Sequence, residues 1–236
     1  MAEFAWIFMK NKAISNINLL EQRFYSQNGE DGIIKFIFKK LGTSNKFCVE
    51  FGFHDFEGNS IYLRKKDWQC LWIDGNGDGK IVKKEFLTAE NINSIFEKYQ
   101  VPKEFDLLSI DIDSNDYWIW KAITGYSPRV VIIEYNACFT PTESKAMKYK
   151  PDNVWDGSNY YGGTLAAMVK LGKSKGYTLV GCDNRGVNAI FIRNDMIENN
   201  FVLKNTEELY KPPQFGIKVN GKYTGYKQSS EKMIDV

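Results

Sequence analysis

The chain has 236 residues, which is enough for one α/β domain with a full hydrophobic core. Hydrophobic residues make up 43% and charged residues 25%, which is ordinary globular usage. The formal net charge of +2 gives no field strong enough to indicate nucleic-acid binding, and no apolar run reaches the roughly 18 residues that span a bilayer.

Apolar strand-like runs alternate with helical patterns along the chain, which is typical of a parallel sheet with crossover helices. An N-terminal helical segment, residues 1–45, contains Ser26 as the expected N-cap of an amphipathic helix over IIKFIFKKL. In the core, residues 46–195, the predicted strands are FCVEFG at 47–52, CLWID at 70–74, EFLTA at 85–89, DLLSIDID at 106–113, VVIIEYN at 130–136, YTLVGC at 177–182 and NAIFIR at 188–193.

Helices are expected between these strands, at 60–67, 91–99, 117–123 and 164–176. In the tail, residues 211–236, the Asn220-Gly221 pair is a hairpin signal. The sequence therefore predicts a single α/β domain over 1–236, a doubly wound Rossmann-like sheet that binds its ligand at the carboxyl ends of the strands.

The counts of histidine and cysteine residues limit the chemistry that is possible. The four cysteines are far apart and form no CxxC pair, which argues against zinc and indicates free thiols in a reducing cytoplasm. The opening segment carries its acidic residue before the apolar patch and its lysine after it, the reverse of a secretory signal, so a cytoplasmic location is expected. The single histidine, His54, is a candidate general base just past the first strand.

Acidic residues mark the ends of several predicted strands. Glu50 stands inside an apolar run and needs a partner, such as a backbone amide or a ligand amine, because an unpaired buried carboxylate is costly. Gly52 permits a sharp turn and a close approach of ligand to backbone. The two aspartates Asp111 and Asp113 are expected on one face of the fourth strand.

The next strand ends in Glu134 and Asn136 with the same spacing as the two aspartates. Oxygen ligands from two adjacent strands predict a site for a hard divalent cation such as magnesium, manganese or calcium. The other interpretation is that these residues are ordinary caps and solvated strand ends.

The stretch DGNGDGKIVKKE, residues 74–85, fits two templates. Asp74, Asn76, Asp78, Gly79 and Glu85 occupy the positions that an EF-hand calcium loop requires. Asp74 also ends a buried strand, where nucleotide-binding α/β folds hold a ribose. Calcium binding through this loop is the alternative function. A nicotinamide-dependent dehydrogenase would need a glycine fingerprint that this sequence lacks. A non-catalytic binding module would leave the acidic strand ends unexplained.

In series, the motifs YSQNGEDGII, FCVEFGFHDFEGNS, WQCLWIDGN, FLTAENIN, DLLSIDIDSNDYWIW, PRVVIIEYN and KGYTLVGCDNRGVNAIFIR resemble FkbM-type S-adenosylmethionine-dependent methyltransferases over residues 24–195. The resemblance implies the class I methyltransferase fold, a mostly parallel seven-stranded sheet with a reversed last strand. It also implies O-methylation of a sugar hydroxyl, here on a nucleotide-linked sugar for capsule or cell-surface polysaccharide.

The resemblance implies a role for each site residue. The residues similar to the family's cofactor-binding positions are Gln27, Glu30, Glu50, Gly52, Asp74, Glu90, Asn91 and Asp111. Asp111, Asp113 and Glu134 look like the acidic set that holds a divalent ion, magnesium or manganese, and the acceptor hydroxyls. Asp111 or His54 would take the proton from the acceptor hydroxyl. No membrane span and no nucleic-acid partner are expected.

Overall fold

Residues 12–53 and 57–236 are described by a computed structural model of the chain. The strands are β1 Phe47–Phe51, β2 Gln69–Asp74, β3 Val82–Lys84, β4 Glu104–Ile110, β5 Ser127–Glu134, β6 Lys145–Ala146, β7 Tyr177–Cys182, β8 Asn188–Arg193, β9 Lys218–Val219, β10 Lys222–Tyr223 and β11 Ile234–Asp235. The α-helices are α1 Glu30–Leu41, α2 Ile61–Arg64, α3 Ile92–Lys98, α4 Asp116–Ala122, α5 Leu165–Ser174 and α6 Thr206–Leu209.

Seven of these strands form one sheet in the order β3-β2-β1-β4-β5-β8-β7. Neighbours from β3 through β5 pair in parallel, whereas β8 pairs antiparallel with both β5 and β7. The mostly parallel seven-stranded sheet predicted from the sequence is confirmed, and its architecture is compatible with a Rossmann-like fold. The reversed strand is the last of the seven along the chain.

Helices cover both faces of this sheet. Apolar side chains of α1 and α2 pack against one face, and those of α3, α4 and α5 pack against the other. Strands β1, β4 and β5 are buried almost throughout, as expected for parallel strands with helices on both sides. The carboxyl ends of these strands therefore form the edge at which polar groups meet.

The start of α1 differs from the prediction. Ser26 is not its N-cap; the cap is Gly29, whose φ of 99° lies in the left-handed region. The Ser26 hydroxyl still binds the first turn, because it accepts the backbone N–H of Asp31 at 3.1 Å and donates to the Asp31 carboxylate at 3.0 Å. That carboxylate also accepts the backbone N–H groups of residues 24–26. The carboxylate thus holds the preceding loop against the first turn of the helix.

The fourth strand ends earlier than predicted, at Ile110 rather than Asp113. Asp113 has a φ of 54°, which breaks the strand. The carboxylate of Asp116 accepts the backbone N–H groups of Ile112 at 2.8 Å and Ser114 at 3.0 Å, and this fixes the turn. Asp111 and Asp113 therefore come together through a turn and not through a shared strand face.

Further boundaries also differ from the prediction. The fifth strand is Ser127–Glu134 rather than VVIIEYN at 130–136, so Asn136 lies beyond its end. The third strand is Val82–Lys84 rather than EFLTA, because the parallel register aligns Asp74 with Lys84. The helix expected at 60–67 is limited to Ile61–Arg64. In the tail, β9 and β10 pair antiparallel across Asn220-Gly221, whose φ values of 49° and 78° suit a two-residue hairpin turn.

No helix within the described part of the chain combines the length and apolar character that a bilayer crossing needs.

The tightest backbone approach joins the ends of β1 and β4. A Cβ atom added to Gly52 would lie 1.5 Å from the carbonyl oxygen of Asp111, and the φ of Gly52 is 73°. Only glycine fits here, because any side chain would force the two strand ends apart.

Gly52→Ala should therefore destabilise the protein by about 3 kcal/mol or more. Gly79→Ala is the matched control, since Gly79 has a similar φ of 75° but no atom within 4 Å of the added Cβ. The control should cost only about 1–2 kcal/mol, the strain of the left-handed conformation. Urea unfolding measures both; equal losses would contradict the close approach.

Candidate functional site

A cleft of about 490 Å³ opens at the carboxyl ends of β1, β2 and β4. Four residues predicted from the sequence line it: Gly52, Asp74, Asp111 and Asp113. They meet because parallel strands bring their carboxyl ends to one edge of the sheet.

Asp74 is the last residue of β2 and is partly exposed to the cleft. One of its carboxylate oxygens accepts the backbone N–H of Asn76 at 2.6 Å, which fixes the side chain at the start of the loop. The carboxylate of Asp74 therefore has a defined position in the cleft, where it can accept ligand hydroxyl groups.

Three carboxylates form a cluster beside Asp74. Asp111, Asp113 and Glu134 each offer an oxygen atom, and these atoms all lie within 4.8 Å of one another. Adjacent pairing of β4 and β5, with Ile110 opposite Ile133, brings the two strand ends together. The three-carboxylate cluster is the one acidic group of metal-binding dimensions within residues 12–53 and 57–236.

The charges in this cluster oppose one another. Burial, and then the charge of Asp113, raise the pKa of Asp111 well above that of an exposed aspartate. Burial, and then the charge of Asp111, raise the pKa of Glu134 in the same way. Burial and the charge of Asp74 raise the pKa of Asp113. Protonation of the carboxylates or binding of a cation would relieve this repulsion.

The carboxylate of Glu134 has an oxygen atom without a hydrogen-bond partner in the described part of the chain. Its side chain is 6% exposed, and its Oε2 atom is buried with no hydrogen-bond partner among the described residues. An unpaired buried carboxylate oxygen is costly, so the arrangement favours a bound cation or donor at this point.

Aromatic residues lie beside the cluster. Tyr161 is 1% exposed and its hydroxyl finds no partner in the described structure, and burial, followed by the charge of Glu134, raises its pKa. Tyr226, from the C-terminal tail, packs on Trp155 with ring centroids 4.6 Å apart. Burial and the cluster's charges raise the pKa of Tyr226 to about 12.

Glu50 has its partners inside the protein. Its carboxylate accepts the backbone N–H groups of Asn59 at 2.6 Å and Ser60 at 3.0 Å, together with a short bond from the Ser60 hydroxyl. The Ser60 hydroxyl in turn accepts the indole N–H of Trp72 at 2.7 Å. Burial nevertheless raises the pKa of Glu50 to about 7. Glu50 therefore holds the chain at residues 59–60.

A small cavity of about 40 Å³ adjoins the cleft and is lined by Gln27, Glu30, Glu50, Gly52 and Asp111. Glu30 accepts hydrogen bonds from the backbone of Asn28 at 2.9 Å and from the side chain of Asn188 at 2.8 Å. Gln27 is exposed at its rim. Gln27 and Glu30 thus lie next to Glu50 and Gly52, and cofactor binding by these residues stays a prediction.

Glu90 and Asn91 are placed differently. Neither lines the cleft; Phe86 and Leu87, which precede them, do. The Asn91 amide is engaged locally, accepting the backbone N–H of Thr88 at 2.8 Å and donating to the carbonyl of Phe86 at 2.8 Å. Glu90 accepts a short hydrogen bond from the Tyr149 hydroxyl. Their side chains bind other groups of the protein, while the apolar neighbours Phe86 and Leu87 line the cleft.

Asn136 is buried, and its contacts also lie within the fold. Its amide NH₂ donates to the carbonyls of Asn159 at 2.9 Å and Tyr161 at 3.0 Å, and its oxygen accepts the backbone N–H of Cys138 at 3.1 Å. These hydrogen bonds hold residues 159–161 against the end of β5. Asn136 is therefore not one of the proposed cation ligands. His54 lies outside the described residues.

The 74–85 loop lacks the arrangement of a calcium loop. It connects two parallel strands, β2 and β3, whereas an EF-hand loop connects two helices. Asp78 accepts the backbone N–H groups of Lys80 and Val82, both at 2.9 Å. Glu85 is bound by Lys98 and by the Tyr99 hydroxyl. The chelating positions are thus engaged with their own neighbours.

The chain matches no protein-family model and no curated protein.

The raised pKa values predict an unusual pH dependence of stability. Burial raises the pKa of Glu50 from 4.5 to about 7, of Asp116 from 3.8 to about 6 and of Asp183 from 3.8 to about 7. At a pH between the pKa of such a group in the unfolded chain and its pKa in the folded protein, only the folded protein retains the proton. The free energy of unfolding therefore falls as pH rises through this range and levels off above pH 7.

In metal-free buffer the melting temperature should fall by roughly 5 °C or more between pH 5 and pH 7.5. Glu134→Gln should raise the melting temperature at pH 7.5 because it removes an unpaired buried charge. Glu143→Gln is the control: this partly exposed carboxylate is paired with Lys145, which lowers its pKa. A melting temperature that rises steadily with pH would contradict the raised pKa values of Glu50, Asp116 and Asp183.

Proposed function

We propose that this chain is an S-adenosylmethionine-dependent O-methyltransferase of the FkbM type that acts on a sugar hydroxyl, on a nucleotide-linked sugar for capsule or cell-surface polysaccharide. One observation carries the proposal: a strand-end aspartate, a glycine turn and a three-carboxylate cluster line or adjoin the same cleft. The reversed last strand of the sheet supports the class I methyltransferase fold.

The cleft suits the nucleoside part of the cofactor. Asp74 would accept the ribose hydroxyls, and the missing side chain at Gly52 would let the ligand lie against the backbone. Phe86, Leu87 and Ile112 offer apolar surface for the adenine ring. The cofactor supplies a methyl group on a sulfonium, so most of the rate would come from holding the acceptor oxygen in line with it.

The cluster of Asp111, Asp113 and Glu134 suits a hard divalent cation, magnesium or manganese. All three are oxygen donors, and the unpaired Oε2 atom of Glu134 is one that a cation would satisfy. A cation bound there would polarise the acceptor hydroxyl. Asp111, Asp113 and Glu134 would hold the cation, and Tyr226 and Trp155 would lie beside the acceptor sugar.

Asp111 is the proposed proton acceptor. It lines the cleft and belongs to the cluster, so it adjoins both ligands of the reaction. Burial raises its pKa in the cation-free protein, and a cation at the cluster would lower that pKa again and favour the carboxylate form that accepts a proton. His54 stays a prediction for the same role.

Asp74→Ala should weaken binding of S-adenosylhomocysteine, the demethylated cofactor, by about 10- to 100-fold, since two charge-assisted hydrogen bonds would be lost. Asp78→Ala lies in the same loop and should bind the ligand like the wild type, because its carboxylate contacts only its own loop. Isothermal titration calorimetry measures both variants. Equal effects of the two substitutions, or no binding by the wild type, would contradict the proposal.

Manganese titration tests the cluster and the calcium alternative together. Wild-type protein should bind one Mn²⁺, and Glu134→Gln should weaken binding at least about 10-fold because one charged ligand is lost. Glu85→Gln, at the last position of the calcium template, should leave Mn²⁺ binding unchanged. If Glu85→Gln abolishes cation binding and Glu134→Gln does not, the cation site is the 74–85 loop.

A further inference from the structure

Two aromatic side chains are exposed on the loop that precedes α1. Phe24 is 52% exposed and Tyr25 is 40% exposed. The loop is held in place, because the Asp31 carboxylate accepts the backbone N–H groups of residues 24, 25 and 26 at 2.8, 2.6 and 2.8 Å. The fold therefore keeps both side chains in solvent, although burial of one such ring would stabilise the protein by about 2 kcal/mol.

Cationic side chains surround these rings. The Phe24 ring stacks on the ring of Tyr62 from α2, with centroids 5.6 Å apart and planes at 21°. The Nζ atom of Lys35 lies 6.0 Å from the Phe24 centroid, and that of Lys66 lies 5.9 Å from the Tyr62 centroid. Lys65 is exposed and follows Tyr62 by three positions, which places it on the same side of the helical turn. The aromatic–lysine patch is the set Phe24, Tyr25, Lys35, Tyr62, Lys65 and Lys66.

Positive charge predominates at this patch. Its three lysines form no ion pair with a carboxylate in the described part of the chain, and the exposed Arg64 adds a fourth cation at the end of α2. Two acidic residues lie close by. Asp31 is buried and bound to the loop backbone, and Asp67 is exposed on the turn that follows α2. The surface thus combines exposed rings with unpaired ammonium groups.

This combination matches the surface of an anionic membrane. Aromatic rings favour the headgroup layer, and each Lys or Arg near an anionic surface contributes about 1 kcal/mol. A protein partner fits less well, because lysine is depleted at the cores of protein interfaces. A nucleic acid also fits less well. Its bases need free ring faces, whereas the rings of Phe24 and Tyr62 are engaged with each other and with ammonium groups.

We propose that the aromatic–lysine patch docks this protein reversibly on a membrane surface that contains anionic phospholipids. Phe24 and Tyr25 enter the headgroup layer, and the three lysines contact the lipid phosphates. Gln27 follows Tyr25 by two positions and lines the small cavity beside the cleft, so docking would hold the candidate site near the lipid surface. The inference goes beyond the proposed function and is independent of it, because docking needs neither cofactor nor acceptor.

Vesicle flotation with the full chain tests the proposal. The probes are vesicles of phosphatidylcholine alone and vesicles that also contain about 30 mol% phosphatidylglycerol. Wild-type protein should bind the anionic vesicles at least about 10-fold more tightly than the neutral ones. This affinity should fall at least about 10-fold when NaCl rises from about 50 mM to about 500 mM, because salt screens the attraction. Equal binding to both vesicles, or binding to neither, would overturn the proposal.

Variants of the patch separate the charges from the rings. Lys65→Gln with Lys66→Gln should weaken binding to the anionic vesicles about 10- to 30-fold, since two cations are lost. Phe24→Ser with Tyr25→Ser should weaken it at least about 10-fold, since two rings no longer enter the headgroup layer. The lysine variant keeps the aromatic packing and serves as the test if the aromatic variant does not fold.

The matched control combines Lys218→Gln with Tyr223→Ser in the tail hairpin. There the Lys218 ammonium lies 4.5 Å from the Tyr223 ring centroid, so the same types of group are removed at another place on the surface. The control should bind the anionic vesicles like the wild type, and a loss as large as that of the patch variants would overturn the assignment to the patch. Tighter binding of an oligothymidylate than of the vesicles, abolished by the same patch variants, would assign the patch to nucleic acid and overturn lipid docking.

Discussion

The repulsion between desolvated carboxylates at the edge of the sheet is the constraint on which the site depends. One carboxylate oxygen from each of Asp111, Asp113 and Glu134 lies within 4.8 Å of the others, and burial favours the neutral forms of Asp111 and Glu134. Moving a carboxylate out of water costs several kcal/mol even after relaxation, unless a partner compensates it. A protein that keeps such a cluster gives up stability in the ligand-free state, and a cation or a ligand that binds there recovers it.

The backbone is arranged to maintain this cluster. The end of β1 approaches the carbonyl of Asp111 so closely that only Gly52 fits. Asp116 fixes the turn that carries Asp113, and Glu50 fixes the segment at 59–60 through three hydrogen bonds. These carboxylates bind backbone groups, whereas those of the cluster face one another. A carboxylate therefore has a structural role where backbone N–H groups donate hydrogen bonds to it, and it stays open to a ligand where such donors are absent.

Much of the site follows from one rule of parallel sheets, because strand ends that are distant in sequence share an edge. This rule brings Asp74, Asp111 and Glu134 together from the pattern alone. It does not reach the unpaired Oε2 atom of Glu134, which only the packed structure reveals.

Local hydrogen bonds account for the errors in the prediction. Ser26 binds the backbone N–H and the carboxylate of Asp31 from outside the N-cap position, and the turn at Asp113 shortens β4. The calcium template matched the letters of the 74–85 loop, but the flanking strands and the local partners of its side chains decide its geometry.

The most direct measurement is a crystal structure with S-adenosylhomocysteine and Mn²⁺, using the anomalous scattering of manganese to locate the ion. The account predicts a single strong peak within bonding distance of Asp111, Asp113 and Glu134, and a ribose hydrogen-bonded to Asp74. A peak in the 74–85 loop with no ligand in the cleft would contradict it.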